Sequence, residues 1–209
     1  YGSTGDLFAA QPQAGKIVRI TPAGVVTDFL GSLSGPNGVY VDFDDTVYVT
    51  EFGGNRVIRV PRGGTSELVA DGPLVQTPNG VVLDVSRNLL FFTGYASGRI
   101  LRVDPPGATE PALVTQITGA ALDGLVLDTC GNLYAVDNGN NRLYRVRMDP
   151  TGTIEGQAEM LAAFDENVAN AQFGSGPGWS ATSLYVAGNP GVVYEVAVGV
   201  AGAQVPTEP

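Results

Sequence analysis

Pro36-Asn37-Gly38-Val39-Tyr40-Val41-Asp42-Phe43-Asp44-Asp45-Thr46-Val47-Tyr48-Val49-Thr50-Glu51-Phe52-Gly53-Gly54-Asn55-Arg56-Val57-Ile58-Arg59-Val60-Pro61-Arg62-Gly63-Gly64-Thr65-Ser66-Glu67-Leu68-Val69-Ala70 reads as one complete structural unit. Its β-branched and aromatic runs, Val39 to Phe43, Thr46 to Glu51, Arg56 to Val60 and Ser66 to Ala70, are the lengths of short strands. Between them lie Asp44-Asp45, Gly53-Gly54-Asn55 and Pro61 to Gly64, all turn-forming residues, so the unit is an up-and-down meander of four strands.

The unit recurs. Its second strand reappears as Leu7-Phe8-Ala9-Ala10, Leu90-Phe91-Phe92-Thr93, Leu133-Tyr134-Ala135-Val136 and Leu184-Tyr185-Val186-Ala187. Its third reappears as Lys16 to Ile20, Arg99 to Val103, Arg142 to Val146 and Val192 to Val196. The opening frame Pro36-Asn37-Gly38-Val39 returns as Pro78-Asn79-Gly80-Val81 after 42 residues and as Leu122-Asp123-Gly124-Leu125 after a further 44. A four-stranded propeller blade has that period, roughly 40 to 50 residues. A meander needs neighbours on both faces, and repetition around an axis supplies them with only short, protected edges. The fold class is therefore all-β, a β-propeller with five blade-like repeats, preferred over a single sandwich or a solenoid of shorter coils. Tyr1 stands in the turn before the second strand of the first unit, so that unit begins without its inner strand. Residues 1–198 are expected to form a single propeller domain and 199–209 a tail or closing strand. The least regular connection, Met148 to Phe173, is expected to hold a short helix or long loop over Glu155 to Ala171 and to end at Gly174, the position matching Asp123 after 51 residues.

Composition agrees with many short strands. The chain has 209 residues, 44% hydrophobic, with 29 glycines, 14 prolines and only 15% charged residues. Acidic residues outnumber basic ones by 21 to 11, and the net charge of −10 disfavours nucleic acid and anionic membrane surfaces. Eight of the 11 basic residues fall in two repeat columns, Lys16, Arg56, Arg99, Arg142 and Arg19, Arg59, Arg102, Arg145, which are strand positions and not a patch. The single cysteine, Cys130, is expected to be half-buried in the turn Asp128 to Asn132. With no histidine, a Cys/His zinc site and a Ser-His-Asp triad are both excluded on residue type. No window is long and apolar enough for a transmembrane helix, and residues 1–15 lack the basic start and apolar core of a signal peptide. Frequent glycine and asparagine with almost no lysine lean towards an exported bacterial protein, secreted or periplasmic.

Inner strands of a propeller line its channel, so Asn37, Asn79 and Asp123 converge on one mouth. Two amides and a carboxylate are the hard oxygen donors that a calcium-type cation takes. A cation there would polarise a carbonyl or phosphoryl oxygen, and Asp123, the only ionisable member, would act as a base towards water or as a direct nucleophile. Asp42-Phe43-Asp44-Asp45 is read as turn chemistry, because it recurs as Asp84 to Asn88 and Asp128 to Asn132. Glu51 and Asp137 end second strands, where acids are usually solvated, and are not assigned to catalysis.

Thr77-Pro78-Asn79-Gly80-Val81 leading to Leu90-Phe91-Phe92-Thr93, and Leu122 to Asp128 leading to Gly131 to Val136, resemble the senescence-marker-protein (regucalcin), gluconolactonase and luciferin-regenerating-enzyme family of six-bladed, calcium-dependent propellers. The resemblance implies a divalent cation, most readily calcium, held by Asn37, Asn79 and Asp123, with Asp123 as catalytic base and a small-molecule lactone or ester as substrate. The family's fourth ligand is a glutamate opening a blade two before that of Asn37, so the five units correspond to blades two to six. Gly35 stands where lactonase members near this asparagine often place a substrate-contacting arginine. Val47 to Val57 and Leu133 to Leu143 also resemble NHL-type propellers, which implies an alternative, a non-catalytic platform for a protein or glycan ligand. Virginiamycin B lyases, propeller enzymes of similar look, rely on histidine, and a chain with none is not expected to share that activity.

Overall fold

The computed structural model describes residues 1–104 and 110–205. Its strands form five antiparallel sheets in chain order. The first holds β1 (Leu7–Gln11), β2 (Lys16–Ile20) and β3 (Val26–Leu30). The second holds β4 (Pro36–Val41), β5 (Val47–Glu51), β6 (Arg56–Val60) and β7 (Glu67–Ala70). The third holds β8 (Pro78–Asp84), β9 (Leu89–Gly94), β10 (Arg99–Val103) and β11 (Ala112–Gln116). The fourth holds β12 (Leu122–Leu127), β13 (Leu133–Asp137), β14 (Arg142–Val146) and β15 (Glu159–Ala163). The fifth holds β16 (Asn167–Phe173), β17 (Ser183–Asn189) and β18 (Val193–Ala197). Each sheet is a meander, and the inner strands β4, β8, β12 and β16 stand side by side.

The turns explain why the pattern repeats. Gly15, Asn55, Gly98 and Asn141 each directly precede the basic residue that opens a third strand, and all four have a left-handed backbone with φ between 48° and 62°. Glycine and asparagine tolerate that region best, so the turn selects them whatever the sheet packs against. The acids between first and second strands bind their own turns: Asp128 accepts from the N–H groups of Cys130 and Asn132, and Asp84 from the Ser86 hydroxyl and Arg87 N–H.

Each core lies between adjacent sheets. Ile17, Val41, Val47, Val49 and Ile58 fill the space between the first two. The largest cluster runs from Tyr40 and Tyr48 through Phe91 and Phe92 to Leu122 and Leu133, tying sheets two, three and four together. A third, around Tyr134, Leu143, Phe173 and Leu184, joins the fourth sheet to the fifth. Strands β5, β9 and β13 are buried along their whole length, whereas no residue of β1 or β18 is fully buried.

Three expectations are corrected. Glu155 to Ala171 holds no helix: it contains β15 and the start of β16, and the extra length is an excursion closed by a Met148–Ile154 bridge. Carbonyls of that excursion accept from the Arg87 and Arg102 guanidiniums, which fasten it to the sheet. Cys130 is exposed, because its turn is held by backbone bonds to Asp128 that leave the thiol outside. Gly174 lies beyond the end of β16. The register pairs Leu122 with Asp137 and Val168 with Gly188, so the position matching Asp123 is Ala169.

Beyond β18 the chain returns to the channel. Ala203 N–H donates to Leu127 O at 2.9 Å and Thr129 N–H to Ala201 O at 2.9 Å, so residues 201–203 pair with the end of β12. Residues 206–209 of the expected tail lie outside the described residues. No helix among the described residues is long and apolar enough to cross a membrane.

Candidate functional site at one mouth of the channel

Each inner strand opens on a bulge. Pro36 pairs with Glu51 and Val39 with Val49, leaving Asn37 and Gly38 opposite the single residue Thr50. Asn79-Gly80 lies in the same way opposite Thr93, and Asp123-Gly124 opposite Val136. A bulge re-aims the side chains it carries.

The glycine of each frame admits the next blade. A Cβ on Gly38 would lie 2.1 Å from Asn79 O, one on Gly80 2.4 Å from Asp123 O, and one on Gly124 2.3 Å from Asn170 Oδ1. Two threonines fasten these approaches. Thr50 Oγ1 accepts from Gly38 N–H at 2.8 Å and donates to Asn79 O at 2.6 Å. Thr93 Oγ1 accepts from Gly80 N–H at 2.8 Å and donates to Asp123 O at 2.9 Å. Backbone position at Asn79 and Asp123 is thus set from the preceding blade.

The Asn79 side chain lies near enough to Asp123 to act on its carboxyl, with Asn79 buried and Asp123 half-buried. Burial outweighs the lowering effect of the Asn79 amide and leaves the Asp123 pKa raised to about 6. Asn37 holds the equivalent strand position one blade earlier and is exposed. An amide that donates N–H to a carboxylate keeps its carbonyl oxygen for a cation, so the donor types fit a hard divalent ion. Among the described residues no three His, Cys, Asp or Glu side chains are grouped to hold a metal. With one carboxylate in the column, a cation would retain several waters.

Glu51 and Asp137 are fully buried, not solvated, because both pin loops. Glu51 accepts from Ser34 N–H and pairs with Arg56, while Asp137 accepts from Ala121 and Asn140 N–H and the Asn140 amide.

A second column borders the mouth. Phe52, Tyr95 and Asn138 each follow a second strand and donate backbone N–H to Gly35, Thr77 and Ala121, two residues before the mouth position. Phe52 and Tyr95 meet edge to face at 5.8 Å. Tyr95 OH donates to Asn138 Oδ1 at 2.8 Å, and Asn138 Nδ2 to Asn167 Oδ1 at 3.0 Å. This rim joins four blades through unlike side chains. The shared frame after each second strand is the signal that would have found it.

The chain is a β-propeller. Its fold is similar to that of a luciferin-regenerating enzyme, at TM-score 0.74 and 15% identity over 98% of this chain and 78% of that one. It is also similar to a gluconolactonase from Xanthomonas campestris, at TM-score 0.70 and 16% identity over 95% of this chain and 69% of that one. Virginiamycin B lyase from Staphylococcus aureus, solved with quinupristin, matches at TM-score 0.68 and 20% identity over 94% of this chain and 68% of that one. No protein-family profile and no curated protein sequence matches the chain.

Proposed function

We propose that the protein is a divalent-cation-dependent hydrolase of lactones or related esters, working at the mouth that Asn37, Asn79 and Asp123 border. The observation that carries this reading is the placement of Asn79 and Asp123 in matching bulges that open successive inner strands, each fixed by a threonine of the preceding blade. The similarity in fold to a gluconolactonase supports the same class.

Asn37, Asn79 and Asp123 would hold the cation, most readily calcium, through oxygen. When bound, it would supply Lewis-acid polarisation of the substrate carbonyl. Asp123 accepts a proton from the water that adds to the carbonyl carbon. The ring C–O bond then breaks and its oxygen takes that proton, giving a hydroxy acid and restoring the carboxylate. Thr93 holds the Asp123 backbone, and the histidine-free composition leaves Asp123 as the base of this column.

The test is calcium titration by calorimetry with lactone turnover measured on the same preparation. Asp123→Asn is expected to lower turnover at least ~100-fold, the lower range for a lost general base. Undiminished turnover in that variant, or no calcium binding by the wild type, would sink the mechanism. The single carboxylate and exposed Asn37 favour, as a second reading, a non-catalytic platform for a protein or glycan; calcium binding without turnover of any lactone would select it.

A further inference from the structure

We infer that residues 201–205 are a built floor that makes the channel a blind pocket, and that the substrate part remote from the scissile bond is an apolar chain or ring held there. The substrate wording rests on the hydrolase reading; the pocket does not.

The channel holds a cavity of about 410 Å³, within the usual range for small-molecule sites. Gly38, Gly80 and Gly124, which directly follow the mouth residues, line one end, and Ala203, Gln204 and Val205 also line the cavity. From Asp123 to Leu127, where the tail crosses, is four residues of strand, about 13 Å. The mouth and the floor are therefore opposite ends of one channel.

The floor is fastened, not merely adjacent. Asp128 N–H is used by Asn132 O on the β13 side, while the flanking Leu127 O and Thr129 N–H bond the tail from the other edge. Gly202 N–H also reaches Ala181 O, and a Cβ at Gly202 would lie 2.5 Å from the Phe173 ring, so the tail fits there only as glycine.

The walls select the ligand. Val81, Val82, Leu83, Leu125, Val126 and Leu127 supply most of the lining from two blades, with amides at Asn170 and Gln172 on one side. Methylenes against the valine and leucine wall gain by leaving water, and the side-chain amides lie on the Asn170–Gln172 side.

The test uses γ-butyrolactones bearing methyl to decyl side chains for turnover, and the matching lactams, which keep ring and carbonyl but resist hydrolysis, for calorimetric binding. Lactam affinity should rise about three- to fourfold per methylene until the chain meets the floor, then fall. Ala203→Trp should move the optimum to shorter chains and weaken the longest lactam at least tenfold. Gly202→Val, which displaces the tail from Phe173, should move it to longer chains; if that variant does not fold, Ala203→Trp decides. A length profile that is flat, or unchanged by Ala203→Trp, overturns the inference. Length-dependent lactam binding without turnover of any lactone would leave the floor standing and reject the hydrolase reading. Turnover with a flat profile would do the reverse.

Discussion

Gly38 and Gly80 determine the site as much as the residues they follow, because each lets the next inner strand approach to a distance that a side chain would forbid. Gly80→Ala would put a methyl 2.4 Å from Asp123 O and 2.6 Å from Leu125 N, both backbone atoms that cannot swing aside. We expect a loss of about 1–3 kcal/mol in denaturant unfolding, with weaker cation binding because Asp123 moves. A wild-type midpoint and wild-type affinity would contradict this role. Asp123 itself costs stability when ionised. Its folded pKa of about 6 lies above the ordinary 3.8, so between these values the unfolded chain has lost a proton that the folded chain keeps. Stability therefore falls as pH rises through that window and is level above it. Relative to Asp123→Asn, the metal-free wild type should lose about 1–2 kcal/mol between pH 4 and 7, after discounting for the carboxylate's partial exposure. Parallel pH profiles of the two proteins would refute it. The frame Asn/Asp-Gly was legible in the sequence because the same packing problem recurs in the same words. The rim of Phe52, Tyr95 and Asn138 was not, since edge-to-face packing and amide bonding solve one task with unlike residues.

Individual strands were legible wherever both faces are buried. β5, β9 and β13 are continuous apolar runs closed by residues of fixed backbone demand, and the sequence places them within a residue or so of the observed bounds. β15 and β16 were missed. Glu159-Met160-Leu161-Ala162-Ala163 has good helix formers, and β16 opens on Asn167 with no proline-asparagine-glycine frame. Sheet pairing overrode those preferences, since β15 completes the fourth sheet and β16 packs on it. Arg87, together with Arg102, fastens the excursion that precedes β15. Arg87 pairs with buried Asp84 and donates to carbonyls of Cys130, Asp149 and Pro150, holding two turns at once. Burial pushes the Asp84 pKa up, yet the Ser86 and Arg87 bonds outweigh it and hold the carboxyl below its usual value. The folded pKa being depressed, this contribution is present above the unfolded pKa and is lost as pH falls through the folded one. Arg87→Ala should cost about 3 kcal/mol near neutrality, the range for breaking a buried pair. Its deficit should shrink below about pH 4, as Asp84 protonates in both proteins. A deficit that stayed constant to low pH would mean that Arg87 acts by packing alone.

Across the whole molecule, stability should be graded from the middle outwards. Period and strand count were enough to reveal a propeller, because each blade is specified by its own turns. How the end blades are covered was not legible, since that depends on what lies beside them. The central cluster spans sheets two to four, with Phe91, Phe92 and Leu122 fully buried, so each of those sheets is held on two faces. The end sheets differ: Val26 on β3 is 56% exposed and Val193 on β18 59% exposed, with Trp179 outward beside Tyr185. In a repeat array each unit draws its stability from the neighbours it contacts, and among the described residues sheets one and five pack mainly on one neighbour each. Phe91→Ala should therefore cost about 3–5 kcal/mol, whereas Val193→Ala should stay within about 0.5 kcal/mol of wild type. Native-state hydrogen exchange gives the direct measure. Amides of β9, β10, β13 and β14 should be the last to exchange, at the free energy of global unfolding, and those of β2 and β18 should exchange earlier through local opening. Phe91→Ala should then speed exchange in sheets two, three and four together, because its ring belongs to a cluster that crosses all three. Uniform protection from β2 to β18, or acceleration confined to β9, would show that the blades do not share their stability in this way.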